Sequence, residues 1–412
     1  MYPDAAVGGY DVGRLLEVCG QKVLALLLST LKNLYLRLII DLEKISYPGM
    51  KQSLHFLFSI VLFLLISGAA EAQKYSNEFL SIGVGARAQG MGNAVVAGID
   101  DVTAGVWNPA GLANLSDLEG LQIGAMHSEW FGGVGKFDYL GLTLPLANRD
   151  RRLALSLIRF GIDEIPNTLS LYESDGTINF DNIVEFSAAD YAFLLSYAQR
   201  LKTQKGRLQV GGNVKVVHRR IGPFATSWGF GLDAGLQYYT GNWRFGLLAK
   251  DISTTFNAWS FSFTEREKEV LALTNNEVPI NSVEVTKPQL ILGGAHRFQF
   301  GKVGLMPEVD FTITTDGQRN TLLSANPFSV DLSAGLEADY QGFIALRAGL
   351  SQFQRELDFD GAEQLRMRPS IGVGIRISKL HIDYAFTDLG SEQSTFSHII
   401  SLKLDIRPRK QN

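Results

Sequence analysis

Apolar and polar residues alternate strictly along residues 228–239, which read WGFGLDAGLQYY. One parity is apolar and consists of Trp228, Phe230, Leu232, Ala234, Leu236 and Tyr238. The other parity is mostly glycine, together with Asp233, Gln237 and Tyr239. A period of two predicts a strand whose successive side chains leave opposite faces. The run would be roughly 33 Å long, and a tilt of about 45° would leave roughly 23 Å of height, close to the roughly 25 Å apolar band of a membrane barrel.

The same alternation predicts fourteen strands after residue 117. They are 118–130, 136–146, 153–162, 185–201, 207–219, 228–239, 242–250, 289–300, 302–314, 329–340, 343–352, 370–378, 379–387 and 395–406. Links after even-numbered strands are mostly short, whereas several links after odd-numbered strands are long, namely 163–184, 251–288, 315–328 and 353–369. Short turns on one side and long loops on the other are typical of an outer-membrane barrel. Charges on the inward parity, such as Asp331, Glu337 and Asp339, argue against a sandwich with a dry core. The predicted fold class is therefore all-β, a transmembrane antiparallel β-barrel.

Composition agrees with this prediction. Of the 412 residues 46% are hydrophobic and 19% are charged, below the roughly 25% of soluble domains. A formal net charge of −4 gives no reason to expect nucleic acid as a partner. The one cysteine, Cys19, excludes an internal disulfide and a multi-cysteine metal site.

An export signal is predicted at residues 50–72. Lys51 follows Met50, an apolar core runs over 54–66, and Ala70-Glu71-Ala72 forms an A-x-A cleavage site before Gln73. The apolar run is shorter than the roughly 20 residues of a membrane-spanning helix. Residues 1–49 are then interpreted as a start-site misassignment, the alternative being a real extension.

The sequence offers no chemistry typical of catalysis. Its six histidines are scattered, and no metalloprotease, nucleophile-elbow or phosphate-loop motif occurs. We therefore predict no enzyme, no cofactor and no metal site.

Two segments before the first strand stand out. Residues 83–92, GVGARAQGMG, are dense in glycine, which predicts backbone packed in a confined space. Residues 107–112, WNPAGL, contain an Asn-Pro turn signal. The whole run 76–115 resembles the N-terminal signature of the PorV/PorQ family, within the broader FadL-like barrels. The resemblance implies fourteen strands and an N-terminal hatch at 73–116 inside a barrel formed by 117–412. It also implies that the hatch motif is Asn108, Pro109 and Ala110.

The resemblance implies two functions of different class. A PorV-like protein would be a non-enzymatic subunit of type IX secretion in the bacterial outer membrane, binding cargo through its C-terminal signal domain. The alternative is a FadL-like passive transporter of hydrophobic molecules, and a third option is a structural barrel. The expected partners are outer-membrane lipids together with secretion components and cargo, or a hydrophobic ligand. Polar inward positions such as Gln209, Asn213 and Lys215 favour the first function over fatty-acid transport.

Three local expectations can be tested against a structure. The 251–288 loop, with Phe256, Trp259, Phe261 and Phe263, would be a capture site or a partner-binding arm, and its charged run 265–269 a solvated face. Pro307 would lie at a bulge or strand end, the alternative being a kink that opens the wall laterally. Arginine should be tolerated better at Gly231, in a wet lumen, than at Leu232 on the lipid face.

Overall fold

The computed structural model describes residues 76–117, 120–146, 150–173, 175–278, 281–325, 328–357, 363–387 and 397–406. The predicted signal peptide, residues 1–49 with Cys19, residues 73–75 and the tail from residue 407 lie outside these ranges. Within them, no helix is long and apolar enough to cross a membrane.

Fourteen strands form a closed antiparallel ring. The strands in chain order are β1 (Leu121–Trp130), β2 (Gly135–Pro145), β3 (Arg151–Asn167), β4 (Val184–Leu201), β5 (Arg207–Ile221), β6 (Ala225–Thr240), β7 (Trp243–Lys250), β8 (Thr255–Phe261), β9 (Ser282–Thr286), β10 (Gln289–His296), β11 (Phe298–Phe300), β12 (Val303–Thr314), β13 (Leu323–Ala325), β14 (Phe328–Tyr340), β15 (Ile344–Leu357), β16 (Glu363–Ile377), β17 (Leu380–Thr387) and β18 (Ser397–Ile406). The ring runs from β1 to β7, then through β10, β12 and β14 to β18, and β18 pairs back with β1. Of the other four strands, β8, β11 and β13 pair with strands of the ring, and β9 pairs with β8. The predicted fold class is confirmed.

The outer face of the barrel is apolar, as the alternation in β6 predicted. Trp228, Phe230 and Leu232 are 58%, 39% and 37% exposed, whereas Gly229 and Gly231 between them are buried. An apolar band facing outward is stable only against lipid. The barrel therefore crosses a membrane.

Residues 76–117, here called the lumen segment, lie inside the ring. They form a short 3-10 helix (Glu78–Ser81), α1 (Ala86–Gly90), α2 (Ala104–Trp107) and a second 3-10 helix (Pro109–Asp117). The last of these contacts β3 to β6, and α1 contacts β15 to β18 on the opposite wall. The segment therefore reaches across the barrel.

The 251–288 connection contains two strands and a helix that the alternation did not predict. β8 continues the line of β7 along β6, β9 pairs with β8, and α3 (Glu265–Leu273) joins them. Alternation failed to reveal β8 because the chain bulges between it and β7, where Asp251 and Thr254 have positive φ values of 56° and 58°.

The charged run 265–269 lies on a solvated helix, as expected. A capping box starts α3, in which the Thr264 hydroxyl accepts from the Glu267 backbone N–H and the Glu267 carboxylate accepts from the Thr264 N–H. No residue of α3 is buried.

Two predicted strands, 153–162 and 343–352, end earlier than the observed β3 and β15, because the register of the ladder shifts at their predicted ends. The register changes between Ile162 and Ile165 in β3 and between Ser351 and Gln354 in β15. An extra residue reverses the parity of everything beyond it. The regular alternation therefore stops at these bulges although the strands continue.

The wall remains paired on both sides of Pro307. On one side Pro307 faces Leu336 of β14 within an uninterrupted ladder. On the other side a single residue, Arg297, separates β10 from β11, and the register is unchanged across it. The irregularity is local, and there is no lateral opening at this proline.

Candidate functional site

The lumen has an apolar region toward the long-loop ends of β1 to β5, here called the apolar half. Inward positions of these strands nearer the short turns, such as Gln122, Arg152 and Gln209, are polar. Inward-facing side chains of these strands pack against the beginning of the lumen segment in one buried cluster. Its larger members are Phe79, Leu80, Val84, Met126, Trp130, Phe137, Tyr139, Ile158, Leu194 and Val217. The Trp107 indole N–H donates to the Val84 carbonyl at 2.7 Å, which fixes this ring beside the cluster.

The other half of the lumen is polar. Along β14 the inward positions are Ser329, Asp331, Ser333, Gly335, Glu337 and Asp339. The expectation of a polar lumen rested on β5 and β14, and it holds only for part of the wall. The apolar half has no signal in any single strand, because its residues come from several strands and from the lumen segment and meet only when the ring closes.

Asn108 lies fully buried between the lumen segment and β6. Its Nδ2 donates to the carbonyl of Val96 at 2.9 Å and to that of Leu236 at 3.2 Å, and its Oδ1 accepts from the Ala110 N–H at 3.2 Å. One side chain thus closes a local turn, joins two parts of the segment and contacts the wall. Since a buried amide left without partners is costly, we expect this position to hold the segment in place.

Pro109 and Ala110 rest on a pair of wall glycines. Gly211 of β5 and Gly235 of β6 face each other in the ladder. A Cβ at Gly211 would lie 2.5 Å from the Pro109 carbonyl carbon and 2.6 Å from the Ala110 nitrogen. Only glycine leaves room for this backbone.

The glycine-dense run 83–92 packs against the opposite wall in the same way, which confirms the predicted close packing. A Cβ at Gly90 would lie 3.0 Å from the Cα of Gly372, and one at Gly92 would lie 2.7 Å from the Leu350 nitrogen. The Gly92 N–H donates to the Ser370 hydroxyl at 3.0 Å.

Two buried carboxylates of β12 bind four successive backbone N–H groups of the lumen segment. Asp310 Oδ2 accepts from residues 95 and 96 at 2.8 and 2.9 Å, and Glu308 Oε1 accepts from residues 97 and 98 at 2.7 and 2.9 Å. Each carboxyl oxygen has two lone pairs and can accept two N–H groups at once. We call this arrangement the carboxylate cradle.

A chain of alternating charges ties the lumen segment to four wall strands. Its order is Asp100, Arg87, Glu337, Arg347, Asp383, Lys403 and Asp101. Nitrogen–oxygen distances along it run from 2.6 to 3.1 Å. The chain of charges passes over β16 at Gly374. A Cβ at this position would lie 2.8 Å from the guanidinium nitrogens of Arg347, so glycine leaves the room that the arginine needs. Each buried charge has an opposite partner, so removal of one would leave another uncompensated.

A third polar cluster lies beside the bulge between β7 and β8. Lys215 Nζ is 3.1 Å from Asp233 Oδ1 and 2.5 Å from Asp251 Oδ1. A Cβ at Gly231 would overlap the Thr255 hydroxyl and lie 3.1 Å from Lys215 Cε. The expectation of a wet lumen at Gly231 was therefore wrong, because polar side chains fill that space.

The start of the lumen segment is held by β8 and β9. The Asn257 Nδ2 donates to Ser76 Oγ at 2.7 Å and to Asn77 Oδ1 at 3.0 Å, and the Asn77 Nδ2 donates to Thr286 Oγ1 at 3.0 Å. The Ser76 hydroxyl donates to Glu284 at 3.3 Å. The hairpin of the long-loop side, where the 163–184 and 251–288 connections lie, thus contacts the lumen segment directly.

Five aromatic rings form a continuous stack on the same side. Centroid distances are 6.1 Å from Trp259 to Phe261, 6.3 Å from Phe261 to Phe263, 5.6 Å from Phe263 to Phe224 and 5.1 Å from Phe224 to Phe186. The stack joins the β8 hairpin to the β5–β6 turn. Phe256 points the other way and is exposed on the outer face.

The opposite, short-turn side contains an open bowl of about 610 Å³. Charged side chains of both signs line it, among them Arg87, Asp101, Arg244, Arg347, Lys403 and Asp405. In the described part of the chain, no group of three or more potential ligands is placed to hold a metal ion.

The sequence matches no protein-family model and no curated protein sequence. Among solved structures, it is similar to the monoaromatic hydrocarbon channel CymD, with 14% identity and a TM-score of 0.47 over 81% of this chain and 100% of that chain. It is likewise similar to the Pseudomonas putida toluene transporter TodX, with 15% identity and a TM-score of 0.47 over 79% and 99%. A Pseudomonas aeruginosa FadL homologue has 13% identity and a TM-score of 0.45 over 77% and 97%. At TM-scores below 0.5 these similarities carry no conclusion about what this chain binds, and the PorV/PorQ assignment stays a prediction.

Proposed function

We propose that the protein is a passive transporter of small hydrophobic molecules in the bacterial outer membrane, gated by the lumen segment. The supporting observation is the apolar half of the lumen, where Phe79 and Leu80 pack against Met126, Phe137 and Ile158. Apolar side chains of the protein itself occupy the space that an apolar ligand would need. A ligand that displaces Phe79 and Leu80 would bury similar apolar area in their place, at roughly 25 cal/mol per Å².

The aromatic stack on the long-loop side supports the same function. It provides an apolar surface from Phe186 to Trp259, and Trp259 lies on the same inward parity of β8 as Asn257, which binds residues 76 and 77. Aromatic rings bind apolar and aromatic ligands over a large area. A molecule captured on the stack would therefore meet the start of the lumen segment next.

The test is uptake into proteoliposomes, with a monoaromatic hydrocarbon and a long-chain fatty acid as separate substrates. Met126→Gln places an amide in the apolar half, and we expect it to reduce uptake. Met306→Gln is the matched control, because Met306 is an equally buried methionine on β12 that packs with Ala97 and Ala295. Equal uptake by the two variants, both folded, would contradict the proposal.

The other function implied by the resemblance is binding and transfer of cargo in type IX secretion. Transport is preferred because its binding surface can be named, whereas no described contact identifies a surface for a signal domain. Affinity capture of the protein from its native membrane tests this alternative, and co-purified secretion components together with unaltered hydrocarbon uptake in Met126→Gln would favour it.

A further inference from the structure

The inward face of β14 to β16 is polar over the full height of the barrel. Arg366, Arg368 and Asp331 lie toward the long-loop side, and Asp339 and Arg376 lie toward the short-turn side. The inward positions of β16 between them are Ser370, Gly372 and Gly374. A wall lined in this way can solvate ions along its whole length.

This polar strip already opens to water on the short-turn side. The bowl of about 610 Å³ extends from Asp339 and Arg376 to Arg87 and Arg347. The polar strip is thus accessible from one side up to the level of the charge chain.

Residues 86–92 close the strip at that level. Arg87 binds Glu337 at 2.9 Å, Gly92 donates to Ser370, and Gly90 rests on Gly372. These contacts are ionic, hydrogen-bonded or backbone on glycine, and the one large apolar side chain among residues 86–92 is the buried Met91, which contacts Gly335. Water and dissolved ions can replace such contacts, which they cannot do for the apolar packing in the other half.

We propose that the seam between residues 86–92 and β14 to β16 is a second, hydrophilic path that conducts small inorganic ions when Arg87 leaves Glu337. The path is separate from the apolar half of the lumen and does not depend on a hydrophobic ligand. Because Asp331 and Glu337 share the strip with Arg347 and Arg368, it has no strong preference for either sign of charge.

The test is ionic conductance of the protein in planar lipid bilayers in potassium chloride. Arg87→Ala should raise the conductance several-fold over that of the unmodified protein. Arg159→Ala is the matched control, because it removes an arginine ion pair with Asp138 on the outer face of the wall. We expect it to conduct like the unmodified protein.

A cysteine on the strip identifies the route. Ser370→Cys, made in a Cys19→Ser background, should react with a cationic methanethiosulfonate in the Arg87→Ala variant, and the reaction should block the added current. In the presence of Arg87 the cysteine should stay protected. If Arg87→Ala does not fold, Glu337→Gln weakens the same contact and replaces it in both measurements.

Two results would overturn the proposal. One is a folded, heat-modifiable Arg87→Ala or Glu337→Gln protein whose conductance equals that of the unmodified protein. The other is an increased current that modification at residue 370 leaves unchanged, because the ions would then pass elsewhere. Hydrocarbon uptake measured in parallel separates the two functions, since its failure would remove hydrophobic transport and leave the ion path supported.

Discussion

Gly235 of β6 and Asn108 of the lumen segment are in direct contact, and a Cβ on Gly235 would overlap Oδ1, the side-chain amide oxygen of Asn108. The glycine is thus required by a residue more than a hundred positions earlier in the chain. Gly211 bears the same relation to Pro109. These two inward-facing glycines mark where residues 108–110 of the lumen segment rest on the wall.

Gly235→Ala should destabilise the protein by about 1–3 kcal/mol, because the added methyl group overpacks a closed contact. Gly294→Ala should have little effect, since nothing lies within 4 Å of a Cβ at that wall position. Unfolding by guanidinium in detergent micelles measures both. Equal costs would mean that Asn108 does not rest on Gly235.

Asn108→Ala should cost about 1–3 kcal/mol, because the Ala110 N–H loses its side-chain acceptor and the Val96 carbonyl loses one of two side-chain donors, the other being Gln237. It should also raise the permeability of liposomes to small polar solutes, less than deletion of residues 76–115 does. Liposome swelling measures this permeability, which should increase from the unmodified protein to Asn108→Ala and then to the deletion variant. Unchanged swelling after the deletion, with the barrel folded, would show that something else closes the lumen.

Leu232→Arg should cost about 2–4 kcal/mol, since it places a charge on the lipid face near the midplane. Gly231→Arg should cost at least as much, because Thr255 and Lys215 leave no room at that position. Trp228→Arg, near the interface, should cost only about 0–1 kcal/mol. Reversible folding into lipid vesicles measures the folding free energy of each variant. A small cost for Gly231→Arg would mean that the lumen has room for water at this position, against the packing in the structure.

Loss of the carboxylate cradle should expose the backbone that it binds. In the Glu308→Ala/Asp310→Ala double variant, the amides of residues 95–97 lose their carboxyl acceptors, whereas the Gly98 N–H keeps the Val95 carbonyl at 3.1 Å. Hydrogen exchange at residues 95–97 should therefore become faster by orders of magnitude. Asp138→Ala removes a carboxylate of the outer face and should leave these amides protected. Protection that survives in the double variant would show that these N–H groups have other acceptors.

Acid should weaken the bond between Asp101 and Lys403. Burial alone would raise the pKa of Asp101, but the charges of Lys403 and Arg87 outweigh it and hold that pKa below its usual range. The bond therefore contributes stability above about pH 4, the value of an unfolded aspartate, and the contribution is lost as the pH falls toward the folded pKa. Between pH 6 and pH 3 the free energy of unfolding of the unmodified protein should fall by more than that of the Asp101→Asn variant. If the two free energies fall in parallel, Asp101 does not contribute in this way.

Local alternation along the chain is enough to specify the wall of this barrel. Strand parity is a local property, so the alternation at Trp228 to Tyr238 identified the lipid face, and the lengths of the connections predicted the two sides. The periodic signal ends wherever a bulge reverses the parity of the strand, as after Ile162, at Gln352 and before β8.

The tertiary structure alone decided what fills the lumen. Gly211, Gly235 and Gly372 look alike in the sequence, and only ring closure shows which residue of the lumen segment each one meets. In the same way, Glu337, which binds Arg87, and the backbone that Glu308 binds lie more than 200 residues away from them in the chain. Contacts at such separations leave no periodic signal in the chain, because they depend on where the lumen segment crosses the closed wall.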